Sequence, residues 1–337
     1  MRIAYFGTFD VENYGDLLFP LLARRRLAEF GAELVYVSPV GGPPVWADCV
    51  PTVPPDALHD EPLDGVILGG GNIVHAGAAG VDHYRQDGLT WLLAYSRLWV
   101  DSARLAAERG IPLCWNAPGV PQRFTAAVAP ILSTAVRSAA YVAVRDQPSL
   151  ANLRGAGVDG AVDIVPDSAF DVTELFADDA LDEAYTHVFA DRRRDLPERV
   201  LAVHLNARYL TGNALETART LDQLAAVTGS SLLLVALGRC HGDGDVARSV
   251  AAHLDADHVV IERPSSLREF VAAIARADGY VGSSLHGMIT ALAFGRPGIA
   301  VARETGGGKF TGLLRQFHLA DRFVGDWEQA VERADLL

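Results

Sequence analysis

The run Gly282-Ser283-Ser284-Leu285-His286-Gly287 joins a strand-ending glycine to two hydroxyls and an imidazole. Ser283 and Ser284 stand where a helix cap belongs, and apolar residues through Phe294 continue the helix. Free backbone N–H groups and the positive end of the helix dipole make such a turn an anion site, with Leu285 on its rim. In the first turn His286 can serve as general acid or base, or donate to a phosphate. A capped helix carrying a packed histidine is the competing reading.

Three further loops carry suitable chemistry. In Gly7–Asp16, Gly15 allows close backbone approach to a ligand, while Asn13 or Asp16 suits a helix cap. The spacing is not GxGxxG, so no dinucleotide fingerprint is present. Gly69-Gly70-Gly71-Asn72 gives up chain entropy directly after a strand, which either a bound ligand or a crowded turn explains. Arg208, beyond His204-Leu205-Asn206-Ala207, offers a planar fork for a carboxylate or phosphate. Lys309 follows Gly306-Gly307-Gly308 and reads equally as a mobile cation over the site or as a solvated residue. Val144-Arg145-Asp146 with Ser149, and Pro166-Asp167-Ser168, read as strand ends and caps with structural roles.

The elements that must position these residues alternate between strand and helix. The first half predicts strands at Ile3–Phe6, Glu33–Val37, Gly65–Leu68, Pro112–Trp115 and Tyr141–Val144, with helices at Asp16–Phe30, Thr90–Arg109 and Ala126–Arg137. The second half predicts strands at Val200–Leu205, Ser231–Leu237, His258–Ile261, Gly279–Val281 and Gly298–Val301, again separated by helices. Crossovers of this kind imply parallel sheets. The expected fold is α/β: an N-terminal Rossmann-like domain over 1–172, a helical connector over 173–198 and a C-terminal Rossmann-like domain over 199–337. The two domains are expected to face each other across a cleft, with the acceptor on the first and the donor anion on the second. Arg192-Arg193-Arg194, inside the connector, reads as a solvated helix face.

Bulk properties narrow the function. Half the 337 residues are apolar and 21% are charged, a globular composition. The formal charge of −13 argues against nucleic acid or an anionic membrane as partner, so an anionic substrate needs a few local donors. Apolar runs such as Ser231–Leu237 are strand-length, far short of the roughly 20 residues of a membrane span. Met1–Gly7 reads as a strand rather than a signal peptide, which makes a cytoplasmic location the expectation. Cys49, Cys114 and Cys240 lack metal-ligand spacing, and no metal is expected.

Taken in order, Asn13-Tyr14-Gly15-Asp16, Gly69–Gly71, Pro118-Gly119, Val144-Arg145-Asp146, Pro166-Asp167 and Ser284-Leu285-His286-Gly287, with Ala291 and Pro297 downstream, resemble the polysaccharide pyruvyl transferase family over nearly the whole chain. The resemblance implies a fold similar to the two-domain glycosyltransferase B type. It implies transfer of an enolpyruvyl unit from phosphoenolpyruvate to a sugar, forming a pyruvate ketal, without a cofactor. The family's histidine maps onto His286 as general acid, and its strand-end arginine onto Arg208 as donor ligand. The family often has Arg immediately before Leu-His, where this chain has Ser284; Lys309, Arg303 or Arg239 are candidate replacements. A nucleotide-sugar glycosyltransferase and a non-catalytic sugar- or phosphate-binding relative are the alternatives. The sequence leaves a homo-oligomer open.

Overall fold

The computed structural model describes residues 1–85, 88–190, 196–210, 212–304 and 308–337. They form two compact units: 1–11, 16–45 and 49–168 make the first, and 12–15, 46–48 and 169–337 make the second.

The first unit contains β1 (Arg2–Phe6), most of α1 (Tyr14–Ala28), β2 (Glu33–Val37), β3 (Gly65–Leu68), α2 (Asp82–Arg85), α3 (Thr90–Arg109), β4 (Leu113–Trp115), α4 (Ala129–Arg137), β5 (Tyr141–Val144), α5 (Gln147–Gly155) and β6 (Asp163–Ile164). Its six strands are parallel in the order β2-β1-β3-β4-β5-β6. The order reverses between β1 and β3, so the loops after those strands, Gly7–Asn13 and Gly69–Asn72, leave the sheet at its switch point, where doubly wound folds bind ligands.

The second unit contains α6 (Asp178–Ala190), β7 (Val200–His204), α7 (Ala214–Thr228), β8 (Ser231–Val235), α8 (Asp243–Ala251), β9 (His258–Ile261), α9 (Leu267–Ala275), β10 (Gly279–Gly282), α10 (Leu285–Ala293), β11 (Gly298–Val301), α11 (Lys309–Gln316), β12 (Phe323–Val324) and α12 (Trp327–Glu332). Its parallel order, β12-β11-β10-β7-β8-β9, places the switch point between β7 and β10. His204 ends β7 and Gly282 ends β10, and the two residues are paired in register.

The central strands are apolar on both faces, as helices on each side of a parallel sheet require, with Val200–His204 and Gly279–Gly282 buried throughout, while the edge strands β2 and β6 are partly exposed. Helix α10 buries Leu285, Met288, Ile289, Thr290 and Ala291, which is the pattern of a helix enclosed on several sides. The loss of roughly 2–5 kcal/mol expected on truncating a buried Leu or Met to Ala makes this helix a stiff mount for His286. The expected connector stretch holds α6, which belongs to the second unit and is tied to Arg276 through Asp178 and Asp182 (2.8 and 2.6 Å). Arg192–Arg194 lie outside the described residues. The short edge strands β6 and β12 have too few residues for a periodic pattern. Among the described residues, no helix is long and apolar enough to cross a membrane.

Candidate functional site

At the switch point of the second unit, both serine hydroxyls are engaged by the protein itself. Ser283 Oγ donates to the Val301 carbonyl at 2.8 Å, and Ser283 N donates to the His204 carbonyl. Ser284 Oγ accepts from Gly287 N at 3.2 Å, the N-cap bond of α10, while the Tyr280 hydroxyl donates to the Ser284 carbonyl. Leu285 is buried, so it packs rather than lining an open surface. Burial raises the Tyr280 phenol far above its ordinary value and keeps it a donor. Glycine is required at 287 because a Cβ there would lie 2.4 Å from the Tyr280 oxygen.

His286, half-buried in the first turn of α10, rests on Gly15. A Cβ built on Gly15 would stand 1.7 Å from His286 Nδ1. The close approach anticipated at Gly15 is therefore to the protein's own imidazole. The segment carrying Gly15 is fastened to the second unit: Asn13 forms an antiparallel bridge with Gly238, and Tyr14 N donates to the Leu237 carbonyl at 2.8 Å. The buried Tyr14 hydroxyl shares a 2.7 Å hydrogen bond with Thr290 of α10, and its ring meets Phe270 edge-on. These four contacts hold the wall behind His286.

Arg208 lies four residues beyond β7, exposed, in a single 3-10 turn at Ala207–Tyr209 that Asn206 caps. His204 is buried, and its Nε2 pairs with Asp243 Oδ2 at 2.7 Å. His241, on the loop after β8, has its pKa lowered by desolvation; Asp243 opposes the shift, while Arg208, Lys309 and His204 add to it. Those basic groups share one electrostatic neighbourhood at the sheet's C-terminal edge. Lys309 opens α11, with its ammonium 5.1 Å from the Phe310 ring centroid. The start of α11 is capped by Glu304, which accepts from Phe310 N, Thr311 N and Thr311 Oγ1, each at 3.1 Å. Of the other cations considered in place of the family arginine, Arg239 is paired with Glu12 at 2.8 Å and Arg303 is exposed. Gly306 and Gly307 lie outside the described residues.

In the first unit, the glycine run is explained by the protein's own packing. A Cβ on Gly69 would meet the Phe6 carbonyl and Tyr5 ring at 2.9 Å, and one on Gly70 the Phe19 ring at 2.4 Å. Gly71 has φ +91° and leaves only 2.9 Å between a built Cβ and Asp16 Oδ1. Asn72 Oδ1 accepts from Arg145 Nη2 at 2.5 Å, beneath Gly119, where a Cβ would collide with both side chains. Arg145, only 4% exposed, also pairs with Asp167 (3.3 Å) and Asp146 (3.4 Å), while Asp146 caps α5 through Ser149 N. Motifs read separately as strand ends are thus one buried polar network.

Just past this loop, His75 Nδ1 accepts from Gly77 N at 3.1 Å and the ring packs on Tyr95. Desolvation pushes its pKa from 6.5 down to about 4. The folded protein keeps this ring neutral where the unfolded chain takes up a proton, so stability falls as pH drops through 6.5 toward 4. A loss of about 1–2 kcal/mol between about pH 7 and 5 is expected from this residue. Urea unfolding of a His75→Gln variant should lose that component, whereas an unchanged pH slope would contradict it.

Sequence reasoning missed the His204–Asp243 pair, because Asp243 is 39 residues distant and only the sheet order brings β7 beside β8. Among the described residues, no three His, Cys, Asp or Glu side chains are grouped to hold a metal ion.

The family model for polysaccharide pyruvyl transferases matches residues 13–305. No curated protein matches the sequence. Among solved structures, the chain is similar to UDP-GlcNAc 2-epimerase from Methanocaldococcus jannaschii, with a TM-score of 0.61 and 11% identity over 100% of this chain and 92% of that one. The Neisseria meningitidis UDP-GlcNAc 2-epimerase gives 0.60 and 11% over 99% and 90%. A glycosyltransferase from Rickettsia africae gives 0.53 and 11% over 99% and 92%. At these identities the likeness is one of fold, the two-unit architecture of glycosyltransferases and epimerases.

Proposed function

The chain belongs to the polysaccharide pyruvyl transferase family, and from that footing we propose that it moves an enolpyruvyl unit from phosphoenolpyruvate to two hydroxyls of a hexose on a glycan or glycolipid precursor. Family membership by itself makes the chain a glycan-modifying transferase. What supports this reading is the switch point of the second unit: His286 stands in the first turn of α10, after β10, whose last residue pairs with the end of β7, and the segments following β7, β8 and β11 carry Arg208, His241 and Lys309 in a chain of net charge −13.

The roles follow from the chemistry. Arg208 and Lys309 hold the donor's carboxylate and phosphate, supplying the charge that Ser284 does not. His286 delivers a proton to the donor's methylene carbon, which becomes the ketal methyl group. The C2–O bond to phosphate breaks, and the two sugar oxygens form bonds to C2. Of the two hydroxyl protons released, one replaces the proton given by His286 and the other leaves on the phosphate, so the histidine is regenerated. Proton transfer by a placed side chain contributes about 10²–10⁴ in rate.

Incubating the protein with phosphoenolpyruvate and a panel of hexosides tests this. The expected products are inorganic phosphate and a sugar heavier by one pyruvate ketal. Turnover of a nucleotide sugar instead, with no binding of phosphoenolpyruvate in calorimetry, would replace this reading with glycosyl transfer.

A further inference from the structure

A single buried carboxylate organises the loops of the second unit's switch point. Asp243, the first residue of α8, is 2% exposed. Its Oδ2 accepts from Gly238 N at 2.8 Å and, in the Nε2–H tautomer, from His204 at 2.7 Å. Its Oδ1 accepts from Asn206 Nδ2 at 2.8 Å. A buried carboxylate away from water is costly unless donors surround it, and here three do. Two segments are thereby joined, residues 204–208 from the last residue of β7 and residues 238–243 up to the first residue of α8.

Two of these donors lead to residues of the proposed site. Asn206 uses its other amide atom, Oδ1, to accept from Arg208 N at 3.0 Å, fixing the turn from which the guanidinium projects. Gly238 pairs its backbone with Asn13, two residues before the Gly15 that lies on the His286 ring. Glycine at 238 is itself dictated by the carboxylate, since a Cβ would stand 2.8 Å from Asp243 Oδ2.

We infer that Asp243 is a positioning residue, acting through Asn206 on Arg208 and through Gly238 on the wall behind His286. The inference rests on the reading of Arg208 as a donor ligand. An amide at 243 offers one acceptor oxygen to three donors, so the two loops lose their common anchor.

Calorimetric titration with phosphoenolpyruvate, which needs neither acceptor nor turnover, tests the Asn206–Arg208 branch, and phosphate release with a hexoside acceptor reads kcat for the branch toward His286. Asn206→Ala is half-buried and removes both of its bonds; it should weaken donor binding about tenfold and leave kcat within about twofold. Arg208→Ala should weaken binding by about 10–100-fold. In the double variant the loss should equal that of Arg208→Ala alone, because Asn206 has nothing left to position. Asp243→Asn, which reaches both branches, should lower kcat as well as affinity. Multiplicative losses in the double variant would overturn the inference while leaving Arg208 a donor ligand. Unchanged binding in Arg208→Ala would remove the donor-site reading itself, and this inference with it.

Discussion

Gly15→Ala should lower kcat by about 10²-fold although residue 15 contributes no side chain, because its new Cβ claims the space of His286 Nδ1, 1.7 Å away. The backbone of residue 15 cannot yield, since Tyr14 is anchored at both its amide and its hydroxyl. The imidazole must therefore move. His286→Gln should cost about 10²–10⁴ in kcat, the range for a placed proton donor. Combining the two changes should cost no more than His286→Gln alone, since the glycine acts only through the ring. Donor affinity, set by Arg208 and Lys309 in our proposal, should change little in either variant. Steady-state kinetics with calorimetry on the same preparations would check both parts, and wild-type turnover by Gly15→Ala would contradict the geometry.

Arg145→Leu should destabilise the protein by about 3–5 kcal/mol, the cost of removing one partner from a buried ion pair. Arg145 and Asp167 are 4% and 3% exposed at the side chain, and the guanidinium also reaches Asp146 and Asn72. Leucine would leave Asp167 without its guanidinium and Asn72 without its 2.5 Å donor. The contrasting variant is Arg104→Leu, whose own side chain is 59% exposed and whose partner Asp101, one helical turn away, keeps its ion pair with Arg97; it should cost less than about 1 kcal/mol. Urea denaturation of the two variants side by side measures the difference, and equal midpoints would refute the network's role.

The sequence was most informative where a pattern is local. Strand-length apolar runs located the main strands of both sheets because a strand buried on two faces has no polar alternation to obscure it. Ser284 was recognisable as a cap from its place before an apolar helix, and the order of motifs identified the family. The reason for each glycine was not legible. Gly15 read as room for a ligand's approach, and the Gly69–Gly71 run as either that or a crowded turn; the atoms nearest to Gly15, Gly70 and Gly71 are those of His286, Phe19 and Asp16, which no local pattern could indicate. Nor could the chain reveal that Asn72, Gly119, Arg145 and Asp167 converge, since that depends on β3, β4 and β5 lying in succession. β7 stops at His204 rather than Leu205, just before Asn206 caps the turn at Ala207–Tyr209.

The second unit is not a contiguous stretch of polypeptide. Residues 12–15 and 46–48 are lent to it from far upstream: Tyr14 and Trp46 both meet the buried ring of Phe270 edge-on, and Asp48 accepts the amides of Leu267 and Arg268 at the start of α9. Cutting the gene at residue 168 would therefore yield a downstream product with an uncovered aromatic, a helix α9 that keeps its Ser266 cap but loses the acceptor of its first two amides, and an imidazole missing its backing. The two halves cannot be swapped between relatives as simple cassettes. A working chimaera would have to graft the two short upstream loops together with the body they serve.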